Sequence, residues 1–260
     1  MRERLRIIVA AHKPCEVPHD KYYLPVQAGA AVHETVGFCR DDEGESISEK
    51  NGLYCELTAL YWAWKNLDCD ALGLVHYRRY FASPGRRAPW LPPRQRIAEG
   101  EELVALLEKT PAILPRKRNY FIENRELQYI HAHGEVGLTA LRAVLTRDAP
   151  EYLPAFEASM QRTSGHCFNM FVMRRELYGA YCEWLFKTLF AVEAHMRENA
   201  PEAITPRLFG FISERMIDCW LETNAVEYTE LPIINTESQH WPKKALNFLH
   251  RKYNNGGTHG

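Results

Sequence analysis

Ala71-Leu72-Gly73-Leu74-Val75-His76-Tyr77-Arg78-Arg79-Tyr80 is a short apolar run that ends abruptly in charged and aromatic residues. A continuous apolar stretch this short, with no polar alternation, predicts a strand buried on both faces. Ahead of it, Leu53, Leu57, Leu60, Tyr61 and Trp64 recur at helical spacing. Ser48-Glu49-Lys50-Asn51 precedes that apolar stripe, and Ser48 or Asn51 is suited to cap the helix. Helix, buried strand and charged cluster in that order describe an α/β protein whose parallel sheet presents ligand-binding groups at its strand tips.

The pattern extends in both directions. Arg6 to Ala11 predicts a first buried strand that opens into Ala11-His12-Lys13-Pro14, where the proline stops regular structure. Tyr22 to Ala28 predicts a second strand. Downstream, Ser83 to Arg96 carries Pro84, Pro89, Pro92 and Pro93 and reads as an exposed loop. A helix over Glu101–Lys109 and strands over Ala112–Pro115 and Gly165–Met173 follow. A long helix is marked by Leu177, Tyr181, Trp184, Leu185, Thr188 and Val192, and a further helix runs from about Phe211 to Thr223 with Ile212, Met216, Cys219 and Trp220 inward. Val226 to Ile234 predicts a late strand.

A chain of 260 residues with 46% hydrophobic and 25% charged residues can bury one sizeable core, so one domain is expected over residues 1–253, with a flexible tail over 254–260. The formal net charge of -1 supplies no global field toward nucleic acid or an anionic membrane, so basic contacts must be local. The basic, partly amphipathic stretch 243–253 has two readings, a peripheral contact with the inner leaflet and a solvated helix packed on the domain. Seven cysteines without a CxxC pair suit a reducing cytoplasm. No apolar run approaches about 18 residues, and no signal-peptide core follows the N-terminus. The expected location is therefore cytoplasmic, at the inner face of the membrane if 243–253 anchors there.

Ile47-Ser48-Glu49-Lys50-Asn51, Tyr54-Cys55-Glu56-Leu57-Thr58-Ala59-Leu60-Tyr61-Trp62 and Leu74-Val75-His76-Tyr77-Arg78-Arg79-Tyr80-Phe81 carry a resemblance. Together they are similar to a family long labelled a domain of unknown function, found among bacterial capsule and exopolysaccharide synthesis proteins and described as glycosyltransferases. The likeness continues through Ile113-Leu114-Pro115, Phe168-Asn169-Met170-Phe171, Phe209-Gly210-Phe211 and Ser213-Glu214-Arg215. The order of elements also resembles the nucleotide-diphospho-sugar transferase (GT-A-like) fold, a single Rossmann-like α/β domain with a central, mostly parallel sheet flanked by helices. The resemblance implies a hexosyltransferase, inverting in the leading reading. Its donor would be a nucleoside-diphosphate sugar, UDP-linked and carrying galactose or galactofuranose as the first expectation. Its acceptor would be a polysaccharide or a lipid-linked saccharide, with no nucleic-acid partner.

In that fold an Asp-x-Asp motif at a strand end holds a divalent metal on the diphosphate. Here the corresponding strand ends in His76-Tyr77-Arg78-Arg79. Two planar guanidinium groups match phosphate oxygens, so a metal-independent reaction is expected, with manganese or magnesium as the alternative. The competing reading of the arginine pair is a structural salt-bridge network. Ala11, His12 and Lys13 at the end of the first strand, Lys50 and Asn51 at a helix start, His76, Tyr77, Arg78 and Arg79, and Asn169 are the candidate donor-binding residues. Glu214, read at a helix start, is the candidate base for the acceptor hydroxyl, and Asp218 one turn further on is the reserve. Glu56, inside an apolar helix, either points into the pocket or pairs with a lysine outside. His131 and His133, read as alternate residues of a strand, are assigned to the acceptor rather than to zinc, since no third ligand stands at a recognisable spacing. A reading from another class is a non-catalytic carbohydrate-binding or assembly protein. Its aromatic platforms would be Trp62, Trp64, Trp184 and Trp241.

Overall fold

Alternate residues of β1 (Arg6–Ala11) face opposite sides of a sheet, and both sides are buried. Ile8 and Ala10 join one apolar cluster, while Ile7, Val9 and Ala11 join another. The chain is seen in a computed structural model that describes residues 4–86 and 88–237. β2 (Tyr23–Gln27) and β3 (Cys39–Arg40) extend the sheet from β1 as parallel neighbours. On the other side of β1 lies β4 (Ala71–His76), also parallel, the strand on which the fold was first read.

Beyond β4 one strand of the path runs the other way. β9 (Phe171–Arg174) pairs antiparallel with both β4 and β6 (Ala112–Pro115), and β10 (Thr229–Leu231) closes that edge parallel to β6. β5 (Arg79–Phe81) folds back on β4 and pairs with β11 (Ile233–Asn235). The strand order is β10-β6-β9-β4-β1-β2-β3, with β5 and β11 off that path. β7 (Arg118–Asn119) and β8 (Ser164–Gly165) form a separate two-stranded ribbon.

One face of the sheet is covered by α2 (Leu57–Asn66), α5 (Val136–Asp148), α7 (Arg175–Asn199), α8 (Leu208–Ser213) and α9 (Ile217–Thr223). The other face packs on α3 (Gly100–Leu107) and the β5–β11 pair. The short α1 (Asn51–Tyr54), α4 (Arg125–His133) and α6 (Leu153–Met160) complete the α-helices among the described residues. The central sheet is thus mostly parallel and sandwiched between helices, as the residue pattern predicts. Burying the apolar faces of its strands against the helices contributes to folding at roughly 25 cal/mol per Å² of apolar surface.

Several boundaries differ from expectation. The helix predicted around Leu53 to Trp64 is broken at Cys55, which adopts φ 54°, ψ -129° and separates α1 from α2. Ser48 starts a 3-10 turn rather than capping a helix; its hydroxyl donates to buried Asp41 (2.5 Å) and accepts from the Ala31 N–H. The strand expected over Gly165–Met173 exists only at its two ends, because Phe168 and Asn169 turn left-handed between β8 and β9. The helix expected over Phe211–Thr223 is two helices, α8 and α9, joined by a turn at Glu214 to Met216. Pro232 likewise divides the late strand into β10 and β11. The proline-rich loop is partly anchored, since Arg86 pairs with Glu99 (2.5 Å) and Pro93–Arg96 forms a 3-10 turn. The 243–253 segment, the tail and Trp241 lie outside the described residues.

Candidate functional site

A cavity of about 950 Å³ opens at the C-terminal edge of β1 and β4. β1 delivers Ala11, His12 and Lys13 to it, and β4 with its turn delivers His76, Tyr77, Arg78 and Arg79. Asn51, Cys55 and Glu56 come from the broken helix between α1 and α2, and Arg207 and Glu214 come from the two ends of α8. Residues His33 to Val36 form the remaining wall; buried Gln27 fixes them by donating to the Glu34 carbonyl (2.8 Å) and accepting from the Val36 N–H (3.0 Å).

Close approach at this rim depends on one glycine. Gly29 has φ +75°, and a Cβ there would stand 2.5 Å from the Asn51 side chain. Buried Asp41 holds the same turn by accepting from the Gly29 and Ala30 N–H groups, both at 2.9 Å. Asn51 therefore stays at the wall, where its Oδ1 lies 3.3 Å from His33 Nε2.

Positive charge converges on the cavity. Lys13, Arg78, Arg79 and Arg207 line it. Burial, then Lys13 and Arg78, lower the His12 pKa, as expected for an imidazole among cations. The Arg79 guanidinium lies 4.4 Å from the centroid of the Phe168 ring, and burial followed by its neighbour Arg78 lowers its pKa. Its Nε is buried without a hydrogen-bond partner among the described residues. Arg78 and Lys13 both reach Glu237, at 4.0 and 3.1 Å.

Three glutamates, Glu34, Glu56 and Glu214, share the cavity with these cations. Burial pushes the Glu214 carboxyl above its ordinary range; Arg215 opposes that and Glu56 adds to it. Glu56 points inward, as one of its two sequence readings had it, and accepts from Asn169 Nδ2 at 2.8 Å. The same amide donates to the Gly210 carbonyl, and Asn169 Oδ1 accepts from Ser213 Oγ (2.9 Å). His76 Nε2 donates to the Phe168 carbonyl at 2.5 Å, and burial lowers its pKa. The left-handed Phe168-Asn169 pair is thus pinned from both sides.

Nine of the sequence-predicted residues line the cavity: Ala11, His12, Lys13, Asn51, His76, Tyr77, Arg78, Arg79 and Glu214. Asn169 supports it from behind, through Glu56. Lys50 turns away to pair with buried Glu193 on α7 (2.8 Å). Glu214 stands at the C-terminal end of α8, which removes the helix-start explanation for its placement. Asp218 does not share its side, because the intervening turn rotates α9. It is buried against Arg125 (2.6 Å) and His166 (2.5 Å).

His131 and His133 are on α4, not on a strand, so two positions apart they point to different sides of a helix. His131 pairs with Glu123 at the surface (3.2 Å), while His133 stacks on Phe211 (3.9 Å between centroids), which in turn lies under Arg207. Trp62, Trp64 and Trp184 make no sugar platform at the cavity. Trp62 is buried and donates to the Glu43 carbonyl, Trp64 stacks on Phe186, and Trp184 packs on Tyr152.

Arg207 was missed by the sequence reading. Its φ of 68° places it at the start of α8, and its N–H donates to the Gly52 carbonyl (2.8 Å). The signal was present in Pro206, which marks a boundary just before a helix. A divalent metal is a poor match for this lining. Such ions seek several oxygen ligands, and here three glutamates, one of them exposed on the 33–36 wall, share the space with four cations. Among the described residues no group of three or more His, Cys, Asp or Glu is arranged to hold a metal ion.

Residues 6–225 match the model of the family described as Domain of unknown function (DUF4422). The solved apo structure of WbbM, a bifunctional glycosyltransferase, superposes with a TM-score of 0.78 at 28% sequence identity. The match covers 90% of this chain and 46% of that one, so this chain spans less than half the length of its structural relative. Nothing among the curated proteins matches the sequence.

Proposed function

Because this chain belongs to the DUF4422 family and shares the fold of a glycosyltransferase, we propose that it transfers a sugar from a nucleoside-diphosphate donor to a saccharide acceptor. The observation that carries this reading is the set of four cations around one cavity at a parallel sheet's C-terminal edge, with the buried, unpartnered Arg79 Nε among them. A diphosphate is the ligand whose charge and geometry suit such a set. A hexose linked to UDP is the proposed donor, and a growing cell-surface polysaccharide or a lipid-linked saccharide is the proposed acceptor.

In the proposed reaction the anomeric carbon loses its bond to the diphosphate as the acceptor oxygen bonds to it. Arg78, Arg79, Arg207 and Lys13 stabilise the charge that builds on the leaving group, which is the role a metal ion plays elsewhere. Glu214 accepts the acceptor's hydroxyl proton. Its raised pKa brings it closer to neutral pH, where a general base works best. Attack opposite the leaving group gives inversion. Asn169 and Glu56 act together by holding the Phe168 turn against Arg79.

A thermal-shift series tests the donor class directly. Nucleoside diphosphates should raise the melting temperature of the wild type, with one base preferred, and should do so equally in EDTA. Arg79→Ala should lose most of that shift while still melting cooperatively. A shift that appears only with manganese, or one undiminished in R79A, would sink the cation-held diphosphate.

A further inference from the structure

A second feature of the same sheet edge is not explained by the cavity. β6 runs antiparallel to β9, which is antiparallel to β4, so β6 and β4 end at the same edge. The chain leaving β6 passes through exposed Arg116, Lys117 and Arg118 and then presents Phe121, 82% exposed, and Ile122, 70% exposed. Large apolar side chains seldom stand this far into water side by side unless they meet something.

The protrusion is built rather than loose. β7 pairs with β8, the Tyr120 N–H donates to the Thr163 carbonyl (2.8 Å), and the Phe121 N–H donates to Asn119 Oδ1 (2.7 Å). Phe121 is held at φ 64°, an uncommon conformation for an aromatic residue. Of the acidic residues that follow, Glu126 is paired with Arg142, and Glu123 lies in hydrogen-bond contact with His131. Lys117 and Arg118 lie over the rings of Tyr228 and Tyr120, and among the described residues none of the three basic residues joins an ion pair. An apolar tip on a cationic shoulder is the chemistry of attachment to an anionic lipid surface, where the rings enter the headgroup boundary and the bases meet phosphate.

We infer that the loop around Phe121 and Ile122, with Arg116, Lys117 and Arg118, seats this protein on an anionic bilayer surface. The loop is coupled to the cavity through Arg215. Arg215 Nη1 donates to the Tyr120 hydroxyl (3.2 Å), and Arg215 follows Glu214 in the chain. Attachment here is therefore tied to the segment that carries the proposed base, as use of a lipid-linked acceptor would require. The attachment itself needs no transferase activity, so it is read separately from the reaction.

Flotation of the full chain with vesicles tests it, using phosphatidylcholine alone and phosphatidylcholine with about one-third phosphatidylglycerol. The wild type should float with the anionic vesicles only. The double variant F121S/I122S should partition about tenfold less or lower, and R116E/K117E/R118E about a hundredfold less, each with a cooperative melt that establishes folding. Phe121→Trp supplies a direct readout, because its emission should be quenched by brominated lipid beyond the wild-type level. Equal flotation of F121S/I122S and wild type, as binding through residues 243–253 would give, overturns the inference. So does self-association in sedimentation that F121S/I122S abolishes without vesicles, which would assign the tip to a second copy of the chain.

Discussion

At the scale of the residue, Glu214 concentrates opposing demands. Burial raises its pKa, so ionising it costs the folded protein more than the unfolded chain. That cost is absent below the ordinary carboxylate pKa and grows as pH rises through the raised value. Glu214→Gln should therefore stabilise the protein at pH 8 by about 0.5–2 kcal/mol and leave the melt at pH 4 unchanged. The same substitution should lower turnover by about 10² to 10⁴ with little change in donor affinity. A glutamine variant that is both unstabilised and fully active would show that the carboxyl is neither strained nor used. In the wild type, the acid limb of the pH–rate profile should lie above the normal carboxylate range for the same reason.

At the scale of the element, Cys55 decides the shape of one wall. Its φ 54°, ψ -129° suits glycine far better than a residue with a Cβ. Cys55→Gly should raise stability by about 1 kcal/mol, whereas Cys55→Ala should not, since alanine keeps the strain. Chemical denaturation of the two variants side by side checks this. Such breaks are also where the sequence was hardest to read. β1, β4 and β6 were legible because short apolar runs leave few alternatives, and the charged residues just past β1 and β4 fell at the cavity, whereas those past β6 did not. The turns at Cys55, Phe168-Asn169 and Glu214 carry no glycine or proline, so periodicity ran straight through them and merged separate pieces. Asn169 alone among these is a residue known to tolerate the left-handed region. The histidine pair failed for a related reason. An i, i+2 spacing means a shared face only on a strand, and local composition around His131 did not distinguish strand from helix. Lys50 and Asp218 were placed by proximity in sequence, yet their partners, Glu193 and Arg125, are distant in the chain and invisible without the fold.

At the scale of the whole molecule, Asp218 ties α9 to the middle of the chain. Burial pushes its pKa up, but the hydrogen bond with His166 and the charge of Arg125 outweigh that and hold it below the usual range. Its contribution to stability is present above the unfolded pKa and is lost as pH falls through the depressed folded value. Asp218→Asn should cost about 3–5 kcal/mol at neutral pH, because fully buried Arg125 would then lack a counter-charge. The gap between variant and wild type should narrow in acid, and urea melts at pH 7 and pH 3 measure both. Arg125 Nη2 also donates to the Glu214 carbonyl (3.3 Å), so the same ion pair steadies the backbone that carries the proposed base. The walls of the cavity come from His12, from Arg79 and finally from Arg207 and Glu214, far apart along the chain. During synthesis at about 5–20 residues per second, the interval between making Arg79 and making Arg207 is on the order of ten seconds. For that time the nascent protein carries unmatched cations and a half-built hollow. A fragment ending ahead of Arg207 and α8 would lack Arg207 and Glu214, and with them one charged wall of the cavity.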